Sequence, residues 1–471
     1  MSKKTAEISG YQDGSWRYLI VMSLIASLGG LLFGFDTAVI SGTFASVRSQ
    51  FHLTGLQEGW FGSSALVGCI IGAVITGSLS DAFGRKRAMI VSGVFFFVSA
   101  VLTAVTPDFT WLVIGRMIGG VGVGMASGLV PTYLSEFAPA RYRGRLVACY
   151  QLAIVIGILT AFLSNYLLIR LASYLTQENL GIHQGLFHKI FIGEIWRAMF
   201  GAEILPAGLF MVLLLLVPES PRWLIARDRF DEALHILGRI NGHSTAVTES
   251  AAIKDSLKQD GHSSWQMLFS PGMLKVTLIV MSLSFFGQLT GVNVVFYYGP
   301  KILEHAGFEK ETASMCVVFL GFINLVFTLI ALWKMDSWGR RPLLLGGMAV
   351  VTLTMVLSAL LCWMEAHPLF LVVTLAVYVA SIALSICAVI WVLTPELLPN
   401  RIRGVAVSIA TFTNWSCNAF SAFVFPWYAE TYGMHTAFAT FSLICFIGTL
   451  VFLRFIPETK GKTLEEIETM W

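Results

Sequence analysis

Apolar runs of about twenty residues, separated by short polar segments, recur along this chain from residue 18 to residue 456. Three of the runs, 343–364, 404–429 and 431–453, contain no Asp, Glu, Lys or Arg. A helix of about 20 residues crosses a hydrocarbon core about 30 Å thick. The pattern therefore predicts twelve spans, at 18–41, 60–80, 88–106, 111–135, 146–169, 196–217, 275–300, 312–333, 343–364, 368–394, 405–428 and 434–456. An even number of crossings puts both chain ends on one side. The first sixteen residues are polar and no small-residue cleavage site follows, so the first span reads as a retained helix rather than a signal peptide.

Composition supports this, since 56% of the 471 residues are hydrophobic and 13% are charged, against about 25% charged in a soluble domain. Charge also orients the chain, because short cytoplasmic loops collect Lys and Arg. With both ends inside, the cytoplasmic segments hold 24 of the 31 basic residues. The external segments hold six, namely Arg48, Arg170, Lys189, Arg197, Lys301 and Lys310. The net charge of +3 is thus a topology signal and gives no support to nucleic-acid binding. All seven cysteines fall within predicted spans, lack metal or redox spacing, and read as small core residues.

The chain also resembles itself. Asp81-Ala-Phe-Gly84-Arg85-Lys86 returns 255 residues later as Asp336-Ser-Trp-Gly339-Arg340-Arg341. Glu136-x-x-Pro139-x-x-x-Arg143-Gly144 returns 260 residues later as Glu396-x-x-Pro399-x-x-x-Arg403-Gly404, and Pro218-Glu219-Ser220 returns as Pro457-Glu458-Thr459. Six helices duplicated in parallel orientation is an architecture of secondary transporters, with a substrate site near the midplane between the halves. The expected organisation is an all-α membrane protein of two six-helix bundles, 1–217 and 274–456, joined by a cytoplasmic helical linker at 218–273 and followed by a tail at 457–471. In the linker, Ser220 can cap a helix and Pro221 suits its first turn. Trp223, Ala226, Phe230, Ala233, Leu234, Leu237 and Ile240 then mark one apolar face, read as a helix packed under the bundle. Thr463 to Glu466 reads as a capping box for a matching helix after the last span. Solvated linker helices and a gating role are both compatible with these segments.

These signatures, together with Gly29-Gly30-Leu31-Leu32-Phe33-Gly34-Phe35-Asp36 in span 1, Gln288-Leu-Thr-Gly291-Val-Asn293 in span 7 and Pro457-Glu458-Thr459-Lys460-Gly461 near the end, resemble the sugar porter family of the major facilitator superfamily. The likeness to bacterial proton-coupled pentose and hexose symporters covers nearly the whole chain. It implies a multi-pass inner-membrane carrier, working as a monomer, whose partners are a sugar, protons and the bilayer. A passive facilitator, a polyol carrier and a membrane sugar receptor are the alternatives. No nucleophile-and-base set or metal-ligand cluster is evident, so neither an enzyme nor a cofactor is expected.

Only Asp36, Arg116 and Glu203 are ionisable groups well inside predicted spans. Such residues are costly in lipid and mark ion or substrate paths. At about 1.5 Å of rise per residue all three fall in the outer half of the first bundle. An Asp that pairs with Arg in one state and loses it in another makes a proton switch; a permanent ion pair holding helices together is the bland alternative. The resemblance implies the coupling role. Amides both donate and accept, which suits sugar hydroxyls; Gln151, Gln288, Asn293, Asn414 and Asn418 all lie within spans. Gln288 and Asn293 point about 140° apart on an ideal helix, so a shared site needs a break, for which Gly287 and Gly291 are suited. The resemblance assigns sugar contact to Gln151, Gln288, Asn293, Trp391, Asn414 and Trp415, with Phe33 and Tyr297 nearby. Asn418 reads as helix–helix glue. The resemblance also implies a cytoplasmic charge gate of Asp81, Arg85, Glu136, Arg143, Asp336, Arg340, Glu396 and Arg403.

The family more often has a glutamine at Gly287, a Gly-Pro pair at Cys387-Ala388 and a small polar residue at Pro395. The volume vacated at Gly287 is expected to admit a bulkier substituent or a water, unless the glycine serves the helix break itself. The external stretch 170–196 is long, and its His183 and His188 read as surface residues.

Overall fold

The computed structural model describes residues 15–139, 141–177, 185–259, 268–399, 402–460 and 466. In the first half, span 1 is Trp16–Val39, span 2 Gly55–Phe83, span 3 Arg85–Val105, span 4 Phe109–Phe137 and span 5 Arg143–Gln177; span 6 combines Ile195–Gly201 with Ile204–Leu214. In the second half, span 7 combines Pro271–Gln288 with Val292–His305, span 8 is Lys310–Trp338 and span 9 Arg340–Trp363. Span 10 combines Pro368–Leu384 with Ile386–Leu397, span 11 is Arg403–Tyr432 and span 12 Met434–Phe455. Among the described residues, eleven of these are long and apolar enough to cross a membrane. Span 11, with Thr411, Thr413, Asn414, Ser416, Asn418 and Ser421, is long enough but more polar. Its polar face belongs to the interior, since Asn414, Asn418 and Ser421 are buried.

Local signals start these helices where the chain turns. Thr54 and Gln57 close a capping box on span 2, and Asp108 accepts from the Trp111 amide to cap span 4. Within each half the helices approach through glycine, which substitutes for the missing hydrophobic drive between helices in lipid. A Cβ on Gly34 of span 1 would collide with the Ile154 carbonyl of span 5, and one on Gly120 of span 4 with the Ala65 carbonyl of span 2. The halves meet along spans 2 and 11 and along spans 5 and 8.

Spans 6, 7 and 10 are interrupted. Span 7 breaks at Leu289 to Gly291, where Gly291 takes φ +88°, and the freed Thr290 carbonyl accepts from the Tyr378 hydroxyl at 2.9 Å. Span 6 breaks at Ala202 and Glu203, and span 10 at Ser385.

The first linker helices pack against the end of the first half that carries Tyr18 and Asp81. Ser220 accepts from the Trp223 amide and Pro221 occupies the first turn. The Trp223 indole and the Arg227 guanidinium both donate to the Asp81 carbonyl, and Arg239 stacks on Tyr18 at 3.9 Å. The apolar face is split between two helices, Pro221–Ala226 and Phe230–Asn241, because the chain reverses at Asp228 with φ +58°. The Thr463 capping motif and His183 lie outside the described residues.

Candidate functional site

Span 1 is the axis of the site. Asp36 on it, Arg116 on span 4 and Glu203 at the span 6 break come together, each about 2% exposed or less. Arg116 Nη1 donates to Asp36 Oδ1 at 2.7 Å and to the Asp36 carbonyl at 3.1 Å. The guanidinium also stacks on Phe200, 5.4 Å from its centroid. The Glu203 carboxyl lies within hydrogen-bonding reach of Asp36. Asp36 Oδ2 and Glu203 Oε1 are buried and have no donor. Among the described residues Arg116 is thus bonded to Asp36 alone, with the Glu203 carboxyl close by, and a single proton on the two carboxyl groups would balance the charge of the guanidinium. Span 6 breaks at this point, which places a carboxyl group at the junction of its two helices.

One turn toward the N-terminus on span 1, Phe33 meets Trp415 of span 11 across the interface between the halves, at 5.6 Å between centroids. The amides lie on spans 5, 7 and 11. The break in span 7 turns Gln288 and Asn293 toward each other, so that Asn293 Nδ2 donates to Gln288 Oε1 at 2.6 Å. Asn418 donates to the Tyr297 hydroxyl at 3.3 Å, which binds spans 11 and 7. Trp415 Nε1 and Asn418 Oδ1 are buried without a partner. Gln151 is half-buried and Asn414 buried on the facing helices. Trp391 is 48% exposed, whereas Trp415 is buried.

Gly287 departs from the expectation drawn from sequence. A Cβ there would collide with Ile390 Cδ1, so the vacated volume is already filled by a span 10 side chain that is 5% exposed. Nor does Gly287 make the break, since the left-handed residue is Gly291.

The repeated signatures build the same contacts twice at one end of the bundle. Gly84 (φ +97°) and Gly339 (φ +90°) make the turns that precede spans 3 and 9. Glu219 accepts from the Arg85 and Lys86 amides at 2.8 and 3.0 Å, and Glu458 from the Arg340 and Arg341 amides at 3.2 and 3.1 Å. A carboxylate at a helix N-terminus is favourably placed against orphan amides and the helix dipole. Glu136 takes a bidentate pair from Arg85 at 3.0 and 3.1 Å and a bond from Ser220 at 2.6 Å. Glu396 takes Arg340 at 3.3 Å and Thr459 at 2.7 Å. Asp81 pairs with Arg85 at 2.9 Å. Arg403 donates to the Leu398 carbonyl at 3.0 Å, and Arg143 is exposed. The Asp336 side chain lies outside the described residues. Among the described residues, the ion pairs at this end each stay within one half.

At the opposite end four residues that the sequence reading missed tie the halves together. Glu58 at the start of span 2 is fully buried and accepts from Lys301 of span 7 at 2.6 Å and from Arg48 at 3.0 Å. Arg48 also pairs with Glu430 at the end of span 11. Beside them Phe44 stacks on Tyr298 at 4.4 Å, and the Tyr298 hydroxyl donates to the Ala422 carbonyl at 2.8 Å. This end is therefore fastened across the halves.

The profile of the family described as "Sugar (and other) transporter" matches residues 22–471. The arabinose-proton symporter of Bacillus subtilis is 36% identical over 459 residues, covering 97% of this chain and 96% of the relative. The D-xylose-proton symporter of Escherichia coli K12 is 36% identical over 489 residues, with 96% of each chain covered. Among solved structures, the inward-open xylose transporter XylE from E. coli matches with a TM-score of 0.82 at 35% identity, over 96% of this chain and 100% of that one. The same symporter bound to 6-bromo-6-deoxy-D-glucose matches with a TM-score of 0.78 at 35% identity, over 97% and 99%. With its duplicated charge sets, interrupted spans and near full-length match, this multi-pass membrane chain belongs to the sugar transporter family.

Proposed function

We propose that this chain carries a monosaccharide, a pentose or hexose, into a bacterial cell across the inner membrane in symport with a proton. It works as a monomer by alternating access, with both termini in the cytoplasm. The inside assignment follows from the excess of Lys and Arg on the end that carries the two charge signatures. The observation that carries the proton step is the pair of orphan oxygens on Asp36 and Glu203 beside one guanidinium.

The geometry supports a sequence of events. With the outside open, a proton enters between Asp36 and Glu203 and weakens the hold of Arg116 on Asp36. Sugar hydroxyls engage Gln151, Gln288, Asn293 and Asn414 and supply partners to Trp415 Nε1 and Asn418 Oδ1, which otherwise stay buried and unpaired. Phe33 and Asp36 are three residues apart on one helix, about 4.5 Å along its axis. A substrate that presses on the Phe33–Trp415 contact thereby acts on the element that holds the proton. The state described here has the outer ties closed and Arg116 on Asp36, as release of both cargoes inward requires. Arg85–Glu136 and Arg340–Glu396, with Asp81, Arg143, Asp336 and Arg403, serve the cytoplasmic gate.

Vesicles containing the protein test this with a panel of labelled pentoses, hexoses and polyols. An imposed proton gradient should drive one or more of the monosaccharides above equilibrium, and sugar addition without a gradient should make the outer medium more alkaline. Equilibration that ignores the gradient would make the chain a passive facilitator.

Ile390 sets a second expectation. Gly287→Gln must push the Ile390 side chain aside, so alone it should weaken all sugars alike. Combined with Ile390→Val, the new amide should gain one hydroxyl contact worth roughly 0.5–1.5 kcal/mol, about two- to tenfold, for some sugars only. Binding constants for several sugars, read from tryptophan fluorescence, distinguish a reordered series from a uniform loss.

A further inference from the structure

A groove away from the transport path lies between the inner ends of spans 1 and 5. It encloses about 240 Å³ and is lined by Trp16, Ile20, Ser23 and Leu24 from span 1 with Tyr142, Arg145, Leu146 and Cys149 around the start of span 5. Its direction follows from helix geometry. Leu24 precedes Phe33 by nine residues, which at about 100° per residue puts it on the opposite face of span 1 from the contact with Trp415. Leu24 is 55% exposed there, so the groove opens toward lipid.

The lining is apolar below and cationic above. The rings of Trp16 and Tyr142 stand 4.6 Å apart at the rim, where amphipathic aromatics mark the membrane interface. Arg17, Arg143 and Arg145 are exposed, and Arg141 stacks on Tyr142. Among the described residues no carboxylate pairs with any of these four arginines, and no lining residue is acidic. Deeper in the groove the Ser23 side chain is 1% exposed, and its hydroxyl has no partner. A serine in a helix ordinarily bonds back to a carbonyl one turn earlier, as Ser27 does to Ser23. The Ser23 hydroxyl does not, and it forms part of the groove floor.

We propose that this groove binds an anionic phospholipid of the cytoplasmic leaflet. One acyl chain lies over Ile20, Leu24 and Leu146. The headgroup phosphate sits against Arg145 with the neighbouring arginines around it. Charge complementarity selects this occupant, because a basic pocket between transmembrane helices on the cytoplasmic side is the chemistry that holds acidic headgroups. The lipid joins span 1, which bears Phe33 and Asp36, to span 5, which bears Gln151.

Native mass spectrometry of the detergent-purified full chain, titrated with dioleoyl phosphatidylglycerol or dioleoyl phosphatidylcholine, tests the assignment. The wild type should bind phosphatidylglycerol at least about fivefold more tightly, the effect of one engaged arginine. Arg145→Gln should remove about that preference and leave phosphatidylcholine binding unchanged. Leu24→Trp, which fills the groove without altering charge, should weaken phosphatidylglycerol as well. Equal affinity for the two lipids overturns the proposal. So does a preference that survives Leu24→Trp, since charge alone would then hold the lipid, and so does full displacement by inorganic phosphate. If Arg145→Gln does not fold, Leu24→Trp carries the test, because phosphatidylglycerol binding that survives it is equally fatal.

Discussion

Asp36→Asn is expected to abolish accumulation of sugar against a gradient while leaving exchange of labelled for unlabelled sugar largely intact. A gradient of one pH unit supplies about 1.4 kcal/mol per proton, enough for about tenfold accumulation by a carrier that moves one proton per sugar. With the Asp36 carboxyl replaced by an isosteric amide, accumulation should vanish and the sugar should only equilibrate. The fold should survive, because Arg116 keeps its bond to the main-chain carbonyl at that position and the Glu203 carboxyl close by still balances the guanidinium. A mere structural pair would behave differently, because removing one partner of a buried pair costs about 3–5 kcal/mol. Exchange, binding and folded yield would then fall together. Counterflow and gradient-driven uptake measured on the same vesicles separate the two outcomes, and a variant that still accumulates sugar removes Asp36 from the coupling step.

The chemistry that could be read from the sequence is the chemistry that stands out against apolar surroundings. Asp36, Arg116 and Glu203 were legible because nothing else ionisable shares the interior of their spans, and they do converge. The break in span 7 was legible because Gln288 and Asn293 could not otherwise face one another, and Gly291 provides it. The repeated signatures were legible as a repeat, though the Glu219 and Glu458 bonds to helix N-termini were not. Ser385 interrupts span 10 with neither glycine nor proline at the break, because the space into which its hydroxyl projects is left by Gly347 on span 9. Such a pairing has no local signature. Gly287 misled for a related reason, since only the structure brings Ile390 into the gap. Arg48, Glu58, Lys301 and Glu430 were invisible as a set. Charges near span ends are ordinarily solvated, and the partners are 243 and 382 residues apart.

That external set carries the other large expectation. Its bonds to Lys301 and Glu430 both cross from the first half to the second, so they act only while that end, the outer one in the proposed orientation, is closed. Glu58 is the member with most at stake. It is fully buried and holds two cations, whereas Glu430 is 38% exposed and adds a screened, outer contact. Glu58→Gln keeps the shape and removes the charge, leaving Lys301 and Arg48 to face one another with only Glu430 between them. Opening hydrates both cations and relieves that repulsion, so the substitution favours the outward-open state by differential stabilisation of the two conformations. A coupling of about 1–3 kcal/mol corresponds to a population shift of about 5- to 150-fold. Spin labels placed on the outer ends of the two halves should report a longer distance in Glu58→Gln and a smaller lengthening in Glu430→Gln. Sugar binding from the outside should tighten for Glu58→Gln as its binding-competent fraction rises. Distances that match the wild type would mean that the Phe44–Tyr298 stack and the glycine contacts, not these charges, close the outer end.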